Sequence, residues 1–214
     1  MIKPSAIIYV DGFNLYRRAL INTPYKWLDL PKFLDSLLQE YEIKQIKYFT
    51  ARITPKPHDK SAHIKQNTYI RALETDSRIQ IHYGKFQNQD KMMPVAPWEY
   101  DEFGQPIKRR VRVQQEKGSD VNLATNLVFD VLKERADTYL IVTNDSDQVG
   151  PLKKLSAETN ALLGLVLTSP EPANELLSIG LPIVRKIREG LLESSQFPIE
   201  IKDAIGKFKK PESW

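Results

Sequence analysis

Ala6-Ile7-Ile8-Tyr9-Val10, closed by Asp11-Gly12, is the stretch that decides the fold class. Five successive apolar residues rich in β-formers suit a strand buried on both faces, the condition of a central strand in a parallel sheet. Parallel strands need helical crossovers, so helices should alternate with strands along the rest of the chain. The pattern supplies them. A short helix is expected over about Asn14 to Leu20. Another starts at Asp29-Leu30-Pro31, where Asp can cap and Pro suits the first turn, with Phe33, Leu34, Leu37 and Leu38 at helical spacing. A second strand follows from about Ile43 to Ala51, and Thr54-Pro55-Lys56-Pro57 marks a loop. Asp59 then reads as the cap of a polar helix to about Thr75, and Arg78 to Phe86 alternates as a third strand.

Residues 87–106 break this rhythm with Pro94, Pro97, Gly104 and Pro106, and are expected to form an irregular excursion or a long hairpin tip. Order resumes over Ile107 to Gln115. Ser119 or Asp120 then opens a helix whose Leu123, Ala124, Leu127, Val128, Val131 and Leu132 form an apolar stripe. Tyr139 to Thr143 reads as a buried strand, about Val149 to Glu158 as a helix, and Ala161 to Leu167 as another strand. Ser169-Pro170 reads as the cap of a short helix reaching about Ile179. The expectation is an α/β fold with three layers, α/β/α, and a mainly parallel Rossmann-like sheet. One domain would occupy residues 1–180 with the insertion at 87–106, and residues 181–214 would be a peripheral extension with a basic tail.

Composition narrows the chemistry. With 214 residues, 41% hydrophobic and 27% charged, the chain has enough material for one such domain, and no apolar run approaches the roughly 18 residues of a membrane span. The first apolar stretch is shorter than the core of an export signal, so a cytoplasmic protein without membrane attachment is expected. The absence of cysteine excludes a disulfide framework, a thiol nucleophile and cysteine-ligated metal sites. A net charge of +4 offers little direct support for a polyanionic partner, so the placement of the charges matters more.

In an open parallel sheet, ligands bind beyond the carboxyl ends of the strands. Asp11 follows the first strand, Asn144-Asp145-Ser146-Asp147 follows the Tyr139–Thr143 strand, and Asp120 stands just after the Gly118-Ser119 turn. Each has a plainer reading when taken alone: a turn for Asp11-Gly12, a helix cap for Asp120, a cap for Asp145. Together they place carboxylates from three distant segments on one rim. Such a cluster is relieved by protonation or by a hard divalent cation, and an oxygen-only donor set favours Mg²⁺ or Mn²⁺ over zinc. Cations gather nearby as a candidate substrate track: Arg17 and Arg18, Lys85, and Lys108, Arg109, Arg110, Arg112 and Lys117. In an extended strand Lys108, Arg110 and Arg112 share one face, though alternating charges can also merely solvate an edge. Tyr16, Tyr83, Phe86, Trp98, Tyr100 and Phe103 are interleaved with these cations, as base stacking would require. His58, His63 and His82 show no metal-ligand spacing.

The segments Ile8-Tyr9-Val10-Asp11-Gly12-Phe13-Asn14-Leu15, Lys117-Gly118-Ser119-Asp120-Val121 and Thr143-Asn144-Asp145-Ser146-Asp147 with Pro151-Leu152 resemble, in order, the three signature motifs of the NYN domain family, LabA/DUF88-like members of the PIN-like nucleases. The resemblance spans about residues 5–170. It implies a PIN-like fold and a metal-dependent nuclease, an endoribonuclease, with Asp11, Asp120, Asp145 and Asp147 as the metal-binding and catalytic acids and Asn14 supporting them. It implies that Thr143 and Asn144 shape the site; Ser146 and Lys117 beside them are taken as substrate-binding residues. Single-stranded or structured RNA would be the partner, with DNA left open and a homo-oligomer allowed. The Gln148-Val149-Gly150 segment departs from the family pattern, which commonly has an aromatic residue there. Two other readings stand beside this one. A phosphatase with a nucleophilic aspartate would want a second acid where Phe13 stands, and a non-catalytic RNA- or protein-binding domain would use the same fold without chemistry.

Overall fold

The opening apolar run forms β1 (Ser5–Asp11), with every residue from Ala6 to Asp11 buried. Its neighbours on both sides are parallel: β2 (Glu42–Ala51) on one edge and β5 (Thr138–Val142) on the other. In the computed structural model, which describes residues 2–55, 61–212 and 214, the sheet grows outward from this pair. β3 (Ile79–Pro94) lies beside β2, and β4 (Lys108–Lys117) runs antiparallel beside β3. On the far side β6 (Leu162–Leu167) and β7 (Ile183–Lys186) continue in parallel. The strand order β4-β3-β2-β1-β5-β6-β7 gives a seven-stranded, mainly parallel sheet whose direction of winding reverses between β1 and β5. The expected α/β architecture is therefore present.

Helices cover both faces. α1 (Gly12–Leu15) runs into a π-helical turn at Tyr16–Leu20. It shares one face with α2 (Leu30–Leu37) and α3 (Ala62–Leu73) over Trp27, Phe33, Tyr48 and Tyr69. As the sequence suggests, α2 begins at an Asp29 cap, whose carboxylate accepts the Lys32 N–H at 3.1 Å. The expected Asp59 cap lies outside the described residues. The opposite face carries α4 (Ser119–Leu132) and α5 (Val149–Glu158), packing Leu123, Leu127, Val131, Leu152 and Leu155 onto Ile7, Tyr9 and Phe49. α6 (Asn174–Leu177), α7 (Glu189–Ser194) and the hairpin of β8 (Glu200–Lys202) and β9 (Lys207–Lys209) complete the described chain. The last residues fold back: the Trp214 ring sits 6.1 Å from Trp27 and 5.6 Å from Tyr69.

Three local readings are corrected. β3 does not end at Phe86 but runs to Pro94, because residues 85–94 pair rung by rung with 108–117. Of the two alternatives for 87–106, the hairpin is the one formed, and only its tip is irregular. Ser169-Pro170 lies in a bend, and α6 starts four residues later after Ala173. The α4 stripe is rotated from the expected one, leaving Leu132 exposed and Asp130 buried.

That rotation serves a charge. Lys47 of β2 is buried, and its ammonium meets the Asp130 carboxylate and, at 3.1 Å, Asn126 Oδ1. Asp130 also accepts from the Tyr9 hydroxyl at 2.6 Å and from Arg135 at 2.9 Å. Breaking a buried pair from one side leaves an uncompensated charge. Asp130→Ala should therefore lower unfolding stability in urea by about 3–5 kcal/mol. Lys47→Met combined with Asp130→Leu should recover part of that loss, and a double variant as unstable as the single one would show that Lys47 is not what Asp130 compensates.

Candidate functional site

The parallel register brings the rim together. Val10 pairs with Val142, so the next residues, Asp11 and Thr143, end side by side where β1 and β5 diverge. Asp11, 6% exposed, accepts the Asn14 N–H at 2.9 Å on one oxygen and the Thr143 hydroxyl at 3.1 Å on the other. The Thr143 hydroxyl in turn accepts the Asp145 N–H at 3.1 Å, which turns the chain after β5 so that Asp145 faces the same space. Asn14 ties this rim to two strands: its side-chain oxygen accepts the Asn144 N–H at 3.0 Å and the Thr168 hydroxyl beyond β6. Asn144 holds the next loop by accepting the Ala173 N–H at 3.0 Å.

Asp120 arrives from the opposite direction, in the first turn of α4. The turn into that helix uses Gly118 at φ +94°, a left-handed conformation that favours glycine. Gly84 on β3 is also required: a Cβ there would come within 2.6 Å of Glu116 Oε1 and 2.7 Å of Ser119 Oγ. Through this gap Glu116 accepts both the Ser119 N–H at 3.1 Å and its hydroxyl at 2.7 Å. That pins the start of α4 to the end of β4.

The result is a cluster in which one carboxylate oxygen each from Asp11, Asp120 and Asp145 lie within 4.8 Å of one another. Burial pushes the Asp120 carboxyl up to about 6, helped by the charges of Asp11, Asp145, Glu116 and Asp147. Burial also raises Asp11, against the lowering effect of its two hydrogen bonds. The donors are all hard oxygens, so the three residues fit a hard divalent cation such as Mg²⁺ or Mn²⁺. Around the cluster lies a cavity of about 340 Å³, walled by Phe13, Asn14, Arg17, Phe86, Gln114 and Glu116 among others. Phe13 and Phe86 meet edge to face at 5.7 Å, and the Arg17 guanidinium lies 5.6 Å from the Phe13 ring centre.

The other residues singled out by sequence fall into groups. Asp147 does not join the three-carboxylate group; it is exposed, and its N–H donates to Asp145 at 3.0 Å. Ser146 is exposed beside it, and Thr143 and Asn144 act through Asp11 and Asn14 as described. Arg17 is in the cavity wall. Lys85 and Lys117 face each other at the root of the β3–β4 hairpin. Arg110 and Arg112 lie farther out on that hairpin and both bind Asp90, at 2.8 and 2.9 Å, which places them on one strand face. Lys108 follows at its outer end, opposite Pro94. Of the histidines, His63 and His82 do not line the cavity, and His58 lies outside the described residues. Sequence reasoning missed Glu116, a fourth carboxylate of the cavity wall. The alternation that put Lys108, Arg110 and Arg112 on one face puts Glu116 there too, so the signal was present.

Comparison with known proteins identifies the family. The family model described as the NYN domain matches residues 5–179. A relative from Pseudomonas putida (strain DSM 28022 / S16), named 6-hydroxy-3-succinoylpyridine 3-monooxygenase HspA, is 32% identical over an alignment covering 97% of this chain and 74% of the relative. A solved structure, of a protein of unknown function, VPA0982, from Vibrio parahaemolyticus RIMD 2210633, superposes with a TM-score of 0.56. It covers 87% of this chain and 94% of the other at 15% identity, a likeness of fold alone. The three motif segments supply the three converging carboxylates, and the chain belongs to the NYN domain family, a PIN-like nuclease family.

Proposed function

We propose that this protein is a metal-dependent ribonuclease that hydrolyses phosphodiester bonds at the Asp11–Asp120–Asp145 cluster, with Mg²⁺ or Mn²⁺ held there. The observation that carries the reading is the convergence of the three carboxylate oxygens within 4.8 Å, with no lysine or arginine hydrogen-bonded to them among the described residues. A hard divalent cation at such a site supplies Lewis acidity toward a phosphate and a water. The chain's own residues do the rest. Thr143 and the Asn14 backbone fix Asp11, so that it need not reorganise during reaction. Arg17 in the cavity wall offers a guanidinium to a phosphate oxygen, and Arg112, Arg110 and Lys108 lie farther out on the hairpin face continuous with that wall. Asp147, two residues after Asp145, adds negative charge at the edge of the same site. The protein would act on RNA in the cytoplasm.

A second reading is favoured by the Pseudomonas relative and by the cavity wall. Phe13 and Phe86 form an aromatic cleft with Arg17 beside it, a combination suited to a small aromatic ring bearing a carboxylate. A monooxygenase reaction there would insert one oxygen atom of O₂ and reduce the other to water with a two-electron donor. The sequence carries no G-x-G-x-x-G fingerprint for a dinucleotide, so the nuclease reading is preferred. Incubating the protein with 6-hydroxy-3-succinoylpyridine, O₂ and a reduced nicotinamide, and looking by mass spectrometry for a hydroxylated product, decides between them.

Two outcomes are expected of the nuclease. Asp145→Asn keeps the side-chain shape while removing one ligand charge, so cleavage of labelled RNA in Mn²⁺ should fall by at least about 10²-fold with the far-ultraviolet spectrum unchanged. EDTA should abolish wild-type cleavage, and a variant as active as wild type would remove Asp145 from the site.

The second outcome concerns pH. The Asp120 carboxyl titrates near 6 in the folded chain against an ordinary 3.8, so folding disfavours its ionised form. That penalty is absent below about pH 4, develops as pH rises through 6, and is fully present at neutral pH. In EDTA, Asp120→Asn should therefore melt above wild type at pH 7.5 and lose that advantage near pH 4. Mn²⁺ should stabilise wild type more than the variant. Equal melting temperatures at both pH values would show that Asp120 is not electrostatically strained.

A further inference from the structure

The β3–β4 hairpin projects beyond the helices as an arm, with residues 87–112 almost entirely exposed or half-exposed. It carries more apolar surface than a solvated arm needs: Trp98 is 63% exposed, Phe103 80% and Met92 61%, with Met93, Tyr100, Ile107 and Val111 exposed as well. The tip is ordered by its own bonds. Asp101 accepts the Phe103 and Gln105 N–H groups, Ile107 N–H donates to the Glu99 carbonyl, and the Trp98 and Tyr100 rings stack at 6.4 Å. A pre-formed apolar surface of this kind marks an interaction site.

The charges divide along the arm. Its stem, residues 85–94 and 108–117, holds seven cations, Lys85, Lys91, Lys108, Arg109, Arg110, Arg112 and Lys117, against two carboxylates, Asp90 and Glu116. Its tip, residues 95–107, holds Glu99, Asp101 and Glu102 and no lysine or arginine. An anionic tip repels a nucleic acid from the very aromatics that would stack on its bases, so the tip suits a different partner. A side-by-side pairing of two β4 edges would set cations against cations. A tip laid on a stem, by contrast, pairs three acids with a cationic surface, and in a twofold dimer each arm offers both halves.

The two faces of the stem also divide. Cross-strand partners share a face, so Phe86, Glu116, Asn88, Gln114, Asp90, Arg112 and Arg110 form one face, continuous with the cavity wall. Its two arginines are already bound to Asp90. The opposite face carries Lys91 beside Val111 and Met93 beside Arg109, and Lys91 and Arg109 make no ion pair among the described residues. We propose that the arm is the dimerisation element of this protein, with the acidic aromatic tip of one copy seated on the Lys91–Val111–Met93–Arg109 face of a second copy's stem. The face beside the catalytic cavity is left free in the dimer.

The test is a charge swap read by sedimentation equilibrium, with circular dichroism to check folding. Wild type should show a concentration-dependent doubling of mass that weakens as salt is raised. Glu99→Lys with Glu102→Lys should weaken association by about tenfold or more, and so should Lys91→Glu with Arg109→Glu. All four substitutions in one chain restore opposite charges across the contact and should recover most of the lost affinity. None of these residues belongs to the carboxylate cluster, so failure here would leave the nuclease reading untouched. A wild type that stays monomeric at high concentration overturns the proposal. So does a dimer unaffected by either pair, a swap that does not rescue, or a tip-reversed variant whose only gain is tighter binding to a single-stranded oligonucleotide.

Discussion

A charged carboxylate buried at the end of a parallel strand must have its charge answered, and the way Asp11 is answered organises the whole rim. It lies on the same rung as Thr143 because β1 and β5 pair in a fixed parallel register. The hydroxyl of Thr143 donates to Asp11 and accepts from the Asp145 backbone, so one threonine sets the positions of two of the three clustered acids. Asn14 works from the other side: its N–H donates to the Asp11 carboxylate, and its side-chain oxygen accepts from residues just beyond β5 and β6. The preorganised donors cover only part of the charge. Asp11 and Asp120 are still held above the usual carboxylate range, mainly by burial.

The opposite treatment of Asp130 shows that this is a choice of environment and not a limit of the fold. Asp130 is as buried as Asp11, yet it receives a lysine, an arginine and a tyrosine hydroxyl. Under α4 the molecule compensates a buried acid fully; on the rim, a few turns along the same helix, it brings acids together with no lysine or arginine bound to them among the described residues. Clustered groups with unrelieved repulsion are characteristic of sites built for a ligand or a reaction. The contrast between the two ends of α4 therefore supports a functional rim more strongly than the carboxylates alone would.

Much of this was legible in the sequence, for identifiable reasons. The runs at 6–10 and 139–143 announce central strands because strands buried on both faces show no alternation, and residues directly after them must fall on the ligand-binding rim. What was hidden depends on pairing between distant segments. Nothing near Phe86 says that β3 continues to Pro94; that follows only from its rungs with β4, and β3 tolerates the terminal proline because β2 pairs with it no farther than Gly84. The burial of Asp130 in place of Leu132 could not be read from the α4 stripe, because it answers Lys47 on a strand 83 residues away. Its neighbours Gln115 and Lys117 give Glu116 no mark as a site residue, and only the gap left by Gly84 aims it at Ser119.

Family membership and the monooxygenase-named relative pull toward different substrates, and the fold does not arbitrate between them, because function resides in the site. The proposed nuclease reading draws on what leads out of the cavity. A small aromatic acid needs only the cleft of Phe13 and Phe86 with Arg17, a closed set within one cavity. A polymer needs that cleft and a way out of it. The way out exists: the face bearing Phe86 and Glu116 continues without interruption through Asn88 and Gln114 to Asp90 and Arg112, rung after rung along the same hairpin. Along this shelf Asp90 holds both arginines in place and answers one of their two charges, so its outer part keeps a net positive charge. A shelf of that length goes beyond what a small molecule would occupy, and beside the carboxylate cluster it supports the proposed nuclease reading.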